Sequence, residues 1–136
     1  MSLIIPNLYV GDINSAHTYE WLTKHNIKLI INCAIEIKNK FSKKIKTISL
    51  KYDDTPHQKL FPLLSDVYNK YIYPYLKEKK SILIHCYAGI SRSASVAIYS
   101  IMMYKNISFP HAYMITKDKR GKIYPNDGFI FQLSSI

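Results

Sequence analysis

A chain of 136 residues with 48% hydrophobic and 21% charged side chains fits one globular domain, and it has no internal repeat or low-complexity tract. Nineteen Lys and Arg against nine Asp and Glu give a formal charge of +10, which favours anionic ligands: phosphorylated groups, nucleic acid or an acidic membrane. Two cysteines, Cys33 and Cys86, exclude a disulfide framework and are expected as free thiols.

The amino terminus, MSLIIPNLYVGD, lacks the basic and apolar regions of a signal peptide. No stretch approaches the twenty apolar residues that a membrane span needs. We therefore expect an intracellular protein, cytoplasmic or nuclear, that is not bound in a membrane. Residues 1–136 are expected to form one domain, and the oligomeric state is left open.

The first half of the chain predicts strands that alternate with helical and loop segments. Residues 7–12 predict a short strand and turn, and residues 14–26 predict a helix because their apolar positions share one helical face. Residues 27–34, IKLIINCA, form a continuous apolar run that is typical of a strand buried on both faces. A Lys-rich surface connection at 36–44 leads to a second strand at 45–52.

The second half predicts one more buried strand and four helices. The loop 53–58, DDTPHQ, precedes a helix at 60–76 that has Pro62 in its first turn and Pro74 near its end. The other predicted elements are the strand 81–86 and the helices 91–104, 109–120 and 126–136, the last with Asn126 or Asp127 as its N-cap.

Alternation of strands and helices predicts an α/β fold with a short, mainly parallel central sheet flanked by helices and joined by right-handed crossovers. In such sheets ligands bind at the carboxyl ends of the strands. Cys86 ends one predicted strand, and Asp53 and Asp54 follow another. The sequence therefore predicts a site at this edge of the sheet.

The stretch HCYAGISRS, residues 85–93, joins the third predicted strand to a helix. Small residues at Ala88 and Gly89 allow the backbone to curl tightly, and the helix that begins near Ser91 presents free amides and a positive dipole end. Arg92 adds a planar fork of donors that can bind two phosphoryl oxygens together. These features predict a cradle for an anion.

Cys86 lies at the mouth of this predicted cradle, where amides, helix dipole and guanidinium all favour the thiolate. A nucleophilic sulfur that faces a bound phosphate indicates phosphoryl transfer to sulfur, followed by hydrolysis. The leaving oxygen then needs a proton from a carboxylic acid on another loop, and the DDTP segment, residues 53–56, is the evident source.

HCYAGISRS resembles the signature of cysteine-dependent protein phosphatases, in which five residues separate a His-Cys pair from Arg-Ser. Its Ala-Gly-x-Ser-Arg-Ser form is similar to the dual-specificity branch, including small poxvirus-type members. The resemblance extends over nearly the whole chain through IIPNLYVGDINSA, NIKLIINCA, KYDDTPHQKLFPLLSDVY and YPNDGFIFQL. It implies a protein-tyrosine-phosphatase-like fold.

The resemblance also implies roles for the residues of the signature. Cys86 would be the nucleophile, Arg92 the phosphate clamp, Ser93 the hydroxyl that bonds the sulfur and eases its departure, and His85 the residue that orients the cysteine from behind. The phosphate would be bound by the backbone amides of the residues that follow the cysteine: Tyr87, Ala88, Gly89, Ile90, Ser91 and Arg92.

The family places its acidic residue six positions before an apolar helix residue. Asp54 meets that spacing with Leu60, whereas Asp53 points to Lys59. The resemblance therefore assigns the general acid to Asp54, while Asp53 is expected to cap or solvate the loop.

The leading expectation is a protein phosphatase for phosphotyrosine and phosphoserine or phosphothreonine, with phosphorylated proteins as partners and no metal or organic cofactor. An RNA 5′-phosphatase with the same cradle is the alternative that would use the high positive charge. A phosphoprotein-binding pseudophosphatase is a third, which the presence of Cys86, Arg92 and Asp54 together disfavours. No added recognition loop is evident, so a shallow pocket is expected.

Several residues outside the signature have two interpretations. Cys33 is expected to pack in the core, and its alternative is a redox partner that traps oxidised Cys86 as a disulfide. The histidines His17, His25 and His111 make no metal-ligand spacing with either cysteine, so no zinc site is expected. Most of the lysines are expected on a solvated surface without a specific partner.

Overall fold

Five strands form one mixed sheet at the centre of the computed structural model, which describes all residues 1–136. The strands are β1 Ser2–Ile5, β2 Leu8–Gly11, β3 Ile27–Ala34, β4 Lys46–Tyr52 and β5 Ser81–His85. Their order across the sheet is β1-β2-β5-β3-β4, and only the β1–β2 pair is antiparallel. This confirms the predicted α/β class with a mainly parallel sheet.

Seven α-helices and one π-helical turn surround the sheet. They are α1 Ile13–Ala16, α2 Tyr19–Lys24, α3 Leu63–Val67, the π-helical turn Tyr68–Ile72, α4 Tyr73–Lys77, α5 Arg92–Lys105, α6 Phe109–Lys119 and α7 Asp127–Ser134. No helix has both the length and the apolar character needed to span a membrane.

The core is built on β3, β5 and α5. Every residue of β5 from Ile82 to His85 is buried, and so is every residue of α5 from Arg92 to Met102. A helix that is apolar on all sides must be covered by other elements, and α5 is covered by the sheet, α6 and α7. Because β5 and α5 are both central, the short loop between them is held at two fixed ends.

The single helix predicted over residues 14–26 is wrong, since the structure divides it into α1 and α2. Asp12 caps α1 by accepting a hydrogen bond from the Ser15 amide at 3.0 Å. The Thr18 hydroxyl donates to the Asn14 carbonyl at 2.7 Å, and its own backbone is extended. Ser and Thr side chains compete with helical hydrogen bonds in this way, and the chain turns between the two helices.

The helix predicted from residue 60 begins at Leu63, with Pro62 as its N-cap, and it contains a π-helical turn. Pro74 has no N–H to donate back to the preceding turn, so the regular α-helical pattern is interrupted just before it. The strand β1 was not among the predicted elements, and it pairs with β2 at the edge of the sheet. The strands predicted at 27–34, 45–52 and 81–86 are confirmed within one residue at either end.

Candidate active site

The residues of the predicted site meet at the carboxyl edge of the parallel strands. We call residues 86–91, between β5 and α5, the cradle loop, and residues 53–58, after β4, the acid loop. The end of β3 leads directly into Ile35 and Glu36 on the same edge. Parallel strands end side by side, so three distant segments of sequence converge on Cys86.

The cradle loop is held from its outer side. Each carbonyl from residue 86 to residue 90 has a donor in the surrounding protein. The pairs are His85 Nδ1 with Cys86 O at 3.3 Å, Ile13 N with Tyr87 O at 3.0 Å, Arg120 Nη2 with Ala88 O at 3.5 Å, Arg120 Nε with Gly89 O at 2.8 Å and Tyr124 N with Ile90 O at 2.8 Å.

A trans peptide directs its amide opposite to its carbonyl, so outward carbonyls turn the amides inward. Four of these amides, those of Tyr87, Ala88, Ile90 and Ser91, donate to no acceptor in the protein. The next amide, that of Arg92, is also without an acceptor, and the carbonyl of its peptide, Ser91 O, accepts from Ser95 N within the helix. Convergent free amides at the beginning of a helix bind anions. The loop therefore has the form of an anion cradle.

Cys86 is buried at the beginning of this loop, with 3% of the residue exposed. The Gly89 amide donates to its sulfur at 3.3 Å, and the hydroxyl of the buried Ser93 lies 3.1 Å from the same atom. The structure thus brings together the cysteine and the hydroxyl that the sequence paired.

Gly89 is required by space as well as by backbone conformation. Its φ of +69° lies in the left-handed region that favours glycine. A Cβ atom there would lie 2.7 Å from the Gly11 carbonyl oxygen and would collide with Arg120 Nη2. Any larger residue would push the loop away from the groups that hold its carbonyls.

Arg92 divides its five N–H donors between the protein and the cradle. Nη1 and Nη2 bind the two carboxylate oxygens of Glu36 at 2.6 and 2.7 Å, and Nη1 also donates to Tyr52 O at 3.0 Å. The pair raises the pKa of Arg92 and lowers the pKa of the Glu36 carboxyl. The Nε–H and the second Nη2 hydrogen remain, and they form a second fork that can bind two phosphoryl oxygens.

Asp54 is exposed, and its Oδ1 accepts a hydrogen bond from Asn126 Nδ2 at 3.0 Å. The backbone amide of Asn126 in turn donates to Ser91 Oγ on the cradle loop at 3.0 Å, so Asn126 connects the acid loop to the cradle loop. Asp53 is also exposed, but its recorded hydrogen bond is made by its backbone amide, which donates to Gln58 Oε1 at 3.0 Å. The two aspartates therefore differ in their contacts, and the assignment of the general acid to Asp54 stays a prediction.

The acid loop is fixed to α7 by further contacts. Gln132 Nε2 donates to Gln58 O at 2.9 Å, and Gln132 Oε1 accepts from Leu60 N at 2.8 Å. Gly128 packs so closely on the Pro56 carbonyl that a Cβ atom would collide with it. Asn126 also caps α7, as one of the two predicted N-cap residues, through Phe129 N at 2.9 Å.

His85 is almost fully buried behind the cradle loop, and burial lowers its pKa to about 4. The ring is therefore neutral at pH 7, and its Nδ1–H donates to the Cys86 carbonyl. This contact restrains the backbone of Cys86, and the orienting role that the resemblance implies for His85 stays a prediction. The histidine does not reach the cradle's inner face.

Three contributing residues were not predicted. Glu36 lies in the segment interpreted as a surface connection. An acidic residue among lysines, just after the end of a strand, is the sequence feature that could have identified it as a site residue. Arg120 and Gln132 carry no local pattern, and their partners are distant in sequence. His57, next to the acid loop's proline, is exposed, and no hydrogen bond of its side chain is formed within the protein.

The cavities of the molecule lie away from the cradle. None is lined by Cys86, Arg92 or Asp54. Two adjacent cavities share Asn26 and Lys28 at the opposite, amino-terminal edge of the sheet. Their other cationic residues are Lys44, Lys46, Lys79 and Lys80. Much of the lysine charge is therefore remote from the site.

Comparison with known sequences gives a consistent result. The profile of the dual specificity phosphatase catalytic domain matches residues 8–136. MAP kinase phosphatase with leucine-rich repeats protein 1 of Dictyostelium discoideum is 36% identical over 134 residues, which cover 98% of this chain and 16% of that protein. This chain covers 19% of the length of a second relative with leucine-rich repeats from the same organism. The viral protein 123R of Invertebrate iridescent virus 6 is 35% identical, over 98% of this chain and 89% of its own.

Solved structures share the fold. The human tyrosine phosphatase-like serine/threonine/tyrosine-interacting protein superposes with a TM-score of 0.90 at 31% identity, over 99% of this chain and 93% of its own. Human DUSP28 has a TM-score of 0.93 at 22% identity over 99% of this chain and 94% of its own, a likeness of fold alone.

The Glu36 pair generates a first prediction. Glu36→Gln removes the charge that holds Arg92, and we expect affinity for vanadate at pH 7 to fall about three- to tenfold. Because the Glu36 pKa is lowered in the folded state, the pair stabilises the protein above the ordinary carboxyl range and is lost as pH falls through the lowered value. The free energies of unfolding of the native chain and of Glu36→Gln, measured with urea, should therefore become equal in acid. Glu20→Gln, an exposed carboxylate on α2, is the control.

His85 generates a prediction on acid stability. Its folded pKa of about 4 lies below the ordinary 6.5, so the unfolded chain takes up a proton first. The contribution of the neutral His85 to the free energy of unfolding is fully present above about pH 6.5. It falls by about 3 kcal/mol as the pH approaches 4. His85→Asn should flatten this slope in urea unfolding measured across the window, whereas the exposed His57→Asn should leave it unchanged. Equal slopes for native chain and His85→Asn would contradict the assignment.

Cys33 generates a third prediction. Asn32 pairs with His85 in the sheet, so Cys33 and Cys86 follow side by side. Neighbouring strands lie about 4.8 Å apart, within the range for a disulfide. Cys33 is fully buried, and burial raises its pKa, so it is inert until its neighbour is oxidised. Peroxide oxidises the Cys86 sulfur to a sulfenic acid. The Cys33 sulfur would then attack the Cys86 sulfur, so that an S–S bond forms and the hydroxyl group leaves with the thiol proton as water.

We expect mass spectrometry of peroxide-treated native protein to find a Cys33–Cys86 disulfide that dithiothreitol reverses. Cys33→Ser should instead proceed to the irreversible sulfinic acid. Identical oxidation products in the two proteins would leave Cys33 as a core residue only.

Proposed function

The chain belongs to the dual-specificity phosphatase family, and on that premise we propose that it hydrolyses phosphotyrosine and phosphoserine or phosphothreonine in proteins through a cysteinyl-phosphate intermediate. The observation that carries the proposal is the set of five unpartnered amides in the segment 87–92, on the loop whose Gly89 amide donates to the Cys86 sulfur. Amides grouped in this way bind a tetrahedral dianion and would leave the sulfur beneath its phosphorus atom.

In the first step the sulfur of Cys86 attacks phosphorus, an S–P bond forms and the P–O bond to the leaving group breaks. The free amides and the second fork of Arg92 bind the three equatorial oxygens as charge shifts among them. These donors are fixed in advance by the outer hydrogen bonds of the cradle loop, so little reorganisation is needed.

The leaving oxygen requires a proton, and Asp54 is the supplier. Asn126 occupies its Oδ1, which leaves Oδ2 to carry the transferable proton. In the second step water attacks the phosphocysteine, its proton passes to Asp54, and the S–P bond breaks. The Ser93 hydroxyl, 3.1 Å from the sulfur, donates to the departing thiolate.

A shallow site supports action on short as well as long phosphorylated side chains. Tyr87 and Ala88, on the cradle loop, are exposed, and no cavity is lined by Cys86. Phosphothreonine reaches phosphorus over fewer atoms than phosphotyrosine does. A cradle near the surface can therefore receive the phosphoryl group of either side chain.

The other candidates are a phosphoprotein-binding module and an RNA 5′-phosphatase. Likeness to the human phosphatase-like interacting protein favours the first, but Cys86, Arg92, Ser93 and Asp54 together supply every group that turnover needs. The lysines that line the two cavities at the amino-terminal edge give no support to an RNA end seated at the cradle.

Turnover of aryl phosphates by site variants tests the proposal. Cys86→Ser should lower kcat by roughly 10⁴-fold or more, and Arg92→Ala by roughly 10³-fold. Asp54→Asn should lower kcat by roughly 10²- to 10⁴-fold for alkyl phosphates and far less for 4-nitrophenyl phosphate, whose leaving group needs no proton. Asp53→Asn, the exposed neighbour, is the matched control and should retain native rates.

Two further measurements separate the candidates. Phosphotyrosine and phosphothreonine peptides should be hydrolysed faster than 5′-triphosphorylated RNA. Rapidly quenched reactions should contain phosphate on Cys86 by mass spectrometry. Faster RNA turnover would replace the substrate class, and phosphopeptide binding without turnover would make the protein a binding module.

A further inference from the structure

Arg120 is a second buried arginine at the site, and neither the signature nor the mechanism above uses it. Its side chain lies behind the cradle loop and is 7% exposed. It forms no salt bridge, although a buried cation without a carboxylate partner is costly. Burial correspondingly lowers its pKa. A guanidinium group that is buried at such a cost in free energy is expected to have a function where it lies.

All three guanidinium nitrogens of Arg120 are engaged. Nε donates to Gly89 O at 2.8 Å, Nη2 is 3.5 Å from Ala88 O, and Nη1 donates to Ser2 Oγ at 2.9 Å. Two consecutive carbonyls of the cradle loop thus share one planar fork. The fit is mutual, because Nη2 occupies the space of the Cβ atom that Gly89 lacks.

The opposite ends of those two peptides face the sulfur and the cradle. The peptide of Ala88 O continues into the Gly89 amide, which donates to Cys86 Sγ at 3.3 Å. The peptide of Gly89 O continues into the Ile90 amide, one of the five that have no protein acceptor. A cation on a carbonyl polarises its peptide and strengthens the amide as a donor.

We propose that Arg120 is a positioning residue for the cradle: by holding the carbonyls of Ala88 and Gly89, it directs the amides of Gly89 and Ile90 towards the sulfur and the phosphoryl group. The inference rests on the proposed function, since it assigns a role within that site. Arg120 touches no reacting atom and acts through the two peptides. A lysine would supply the charge but not the planar fork.

The test compares Arg120→Met and Arg120→Lys with Lys119→Met. Lys119 is the control, because it is an exposed cation of α6 directly before Arg120 and its side chain makes no hydrogen bond within the protein. The readouts are vanadate affinity, the pH profile of Cys86 alkylation by iodoacetamide, kcat for 4-nitrophenyl phosphate, and the melting temperature. A loss of stability alone would change only the melting temperature.

We expect Arg120→Met to weaken vanadate binding and lower kcat by about 10- to 100-fold and to shift the alkylation profile to higher pH. Arg120→Lys should recover less than half of the loss on a logarithmic scale, and Lys119→Met should match the native chain. If Arg120→Met does not fold, Arg120→Lys decides: weakened vanadate binding at native melting temperature supports the role.

Native vanadate affinity and a native alkylation profile in a folded Arg120 variant would overturn the inference, and so would an equal loss in Lys119→Met. Failure of the proposed function looks different. In that case the native chain itself neither binds vanadate nor hydrolyses phosphoesters.

Discussion

Hydrogen bonds on the outer side of the cradle loop decide where its amides point. Fixing the backbone of each loop residue costs about 1–2 kcal/mol of conformational entropy. That cost is met by donors from three separate places: Ile13 in α1, Tyr124 before α7, and the buried Arg120. Because the carbonyls are already bound, the amides face the sulfur before any ligand arrives, and an incoming anion has little backbone to rearrange.

Arg92 depends on the same kind of restraint. Its side chain is 8% exposed, and its partner Glu36 is 47% exposed at the rim, so the pair reaches from the interior to solvent. Glu36 and the Tyr52 carbonyl take three of its donors and fix the plane of the guanidinium. With its charge balanced by Glu36, the clamp binds phosphoryl oxygens by the direction of its remaining donors more than by net charge.

Local patterns predicted the central elements but not the contacts between them. The strands at 27–34 and 81–86 were predictable because continuous apolar runs are typical of buried parallel strands. The grouping of Cys86, Arg92 and Ser93 was predictable because all three lie at one strand-to-helix junction. Glu36 lies 56 positions from Arg92, and Arg120 lies 31 positions from Gly89. Such pairs depend on strand order and helix placement, which no local pattern encodes. The division at Thr18 and the π-helical turn before Pro74 likewise follow from single side chains that override a helical period.

The net charge of +10 and the cradle are separate features of the molecule. Lys80 and Cys86 lie on either side of β5, roughly 20 Å apart along the strand direction at about 3.3 Å per residue, and Lys28 lies near the beginning of β3, at the end remote from the site. The Debye length at physiological ionic strength is about 8 Å, so charges at the amino-terminal edge are largely screened at the carboxyl edge. On the proposed function, affinity for a phosphoryl group comes from the unpartnered amides of the cradle loop and the free donors of Arg92, while Arg120 acts from behind the loop. The five lysines that line the cavities at the amino-terminal edge are therefore no argument for nucleic acid at this site, because an anion bound at the opposite edge of the sheet meets little of their charge.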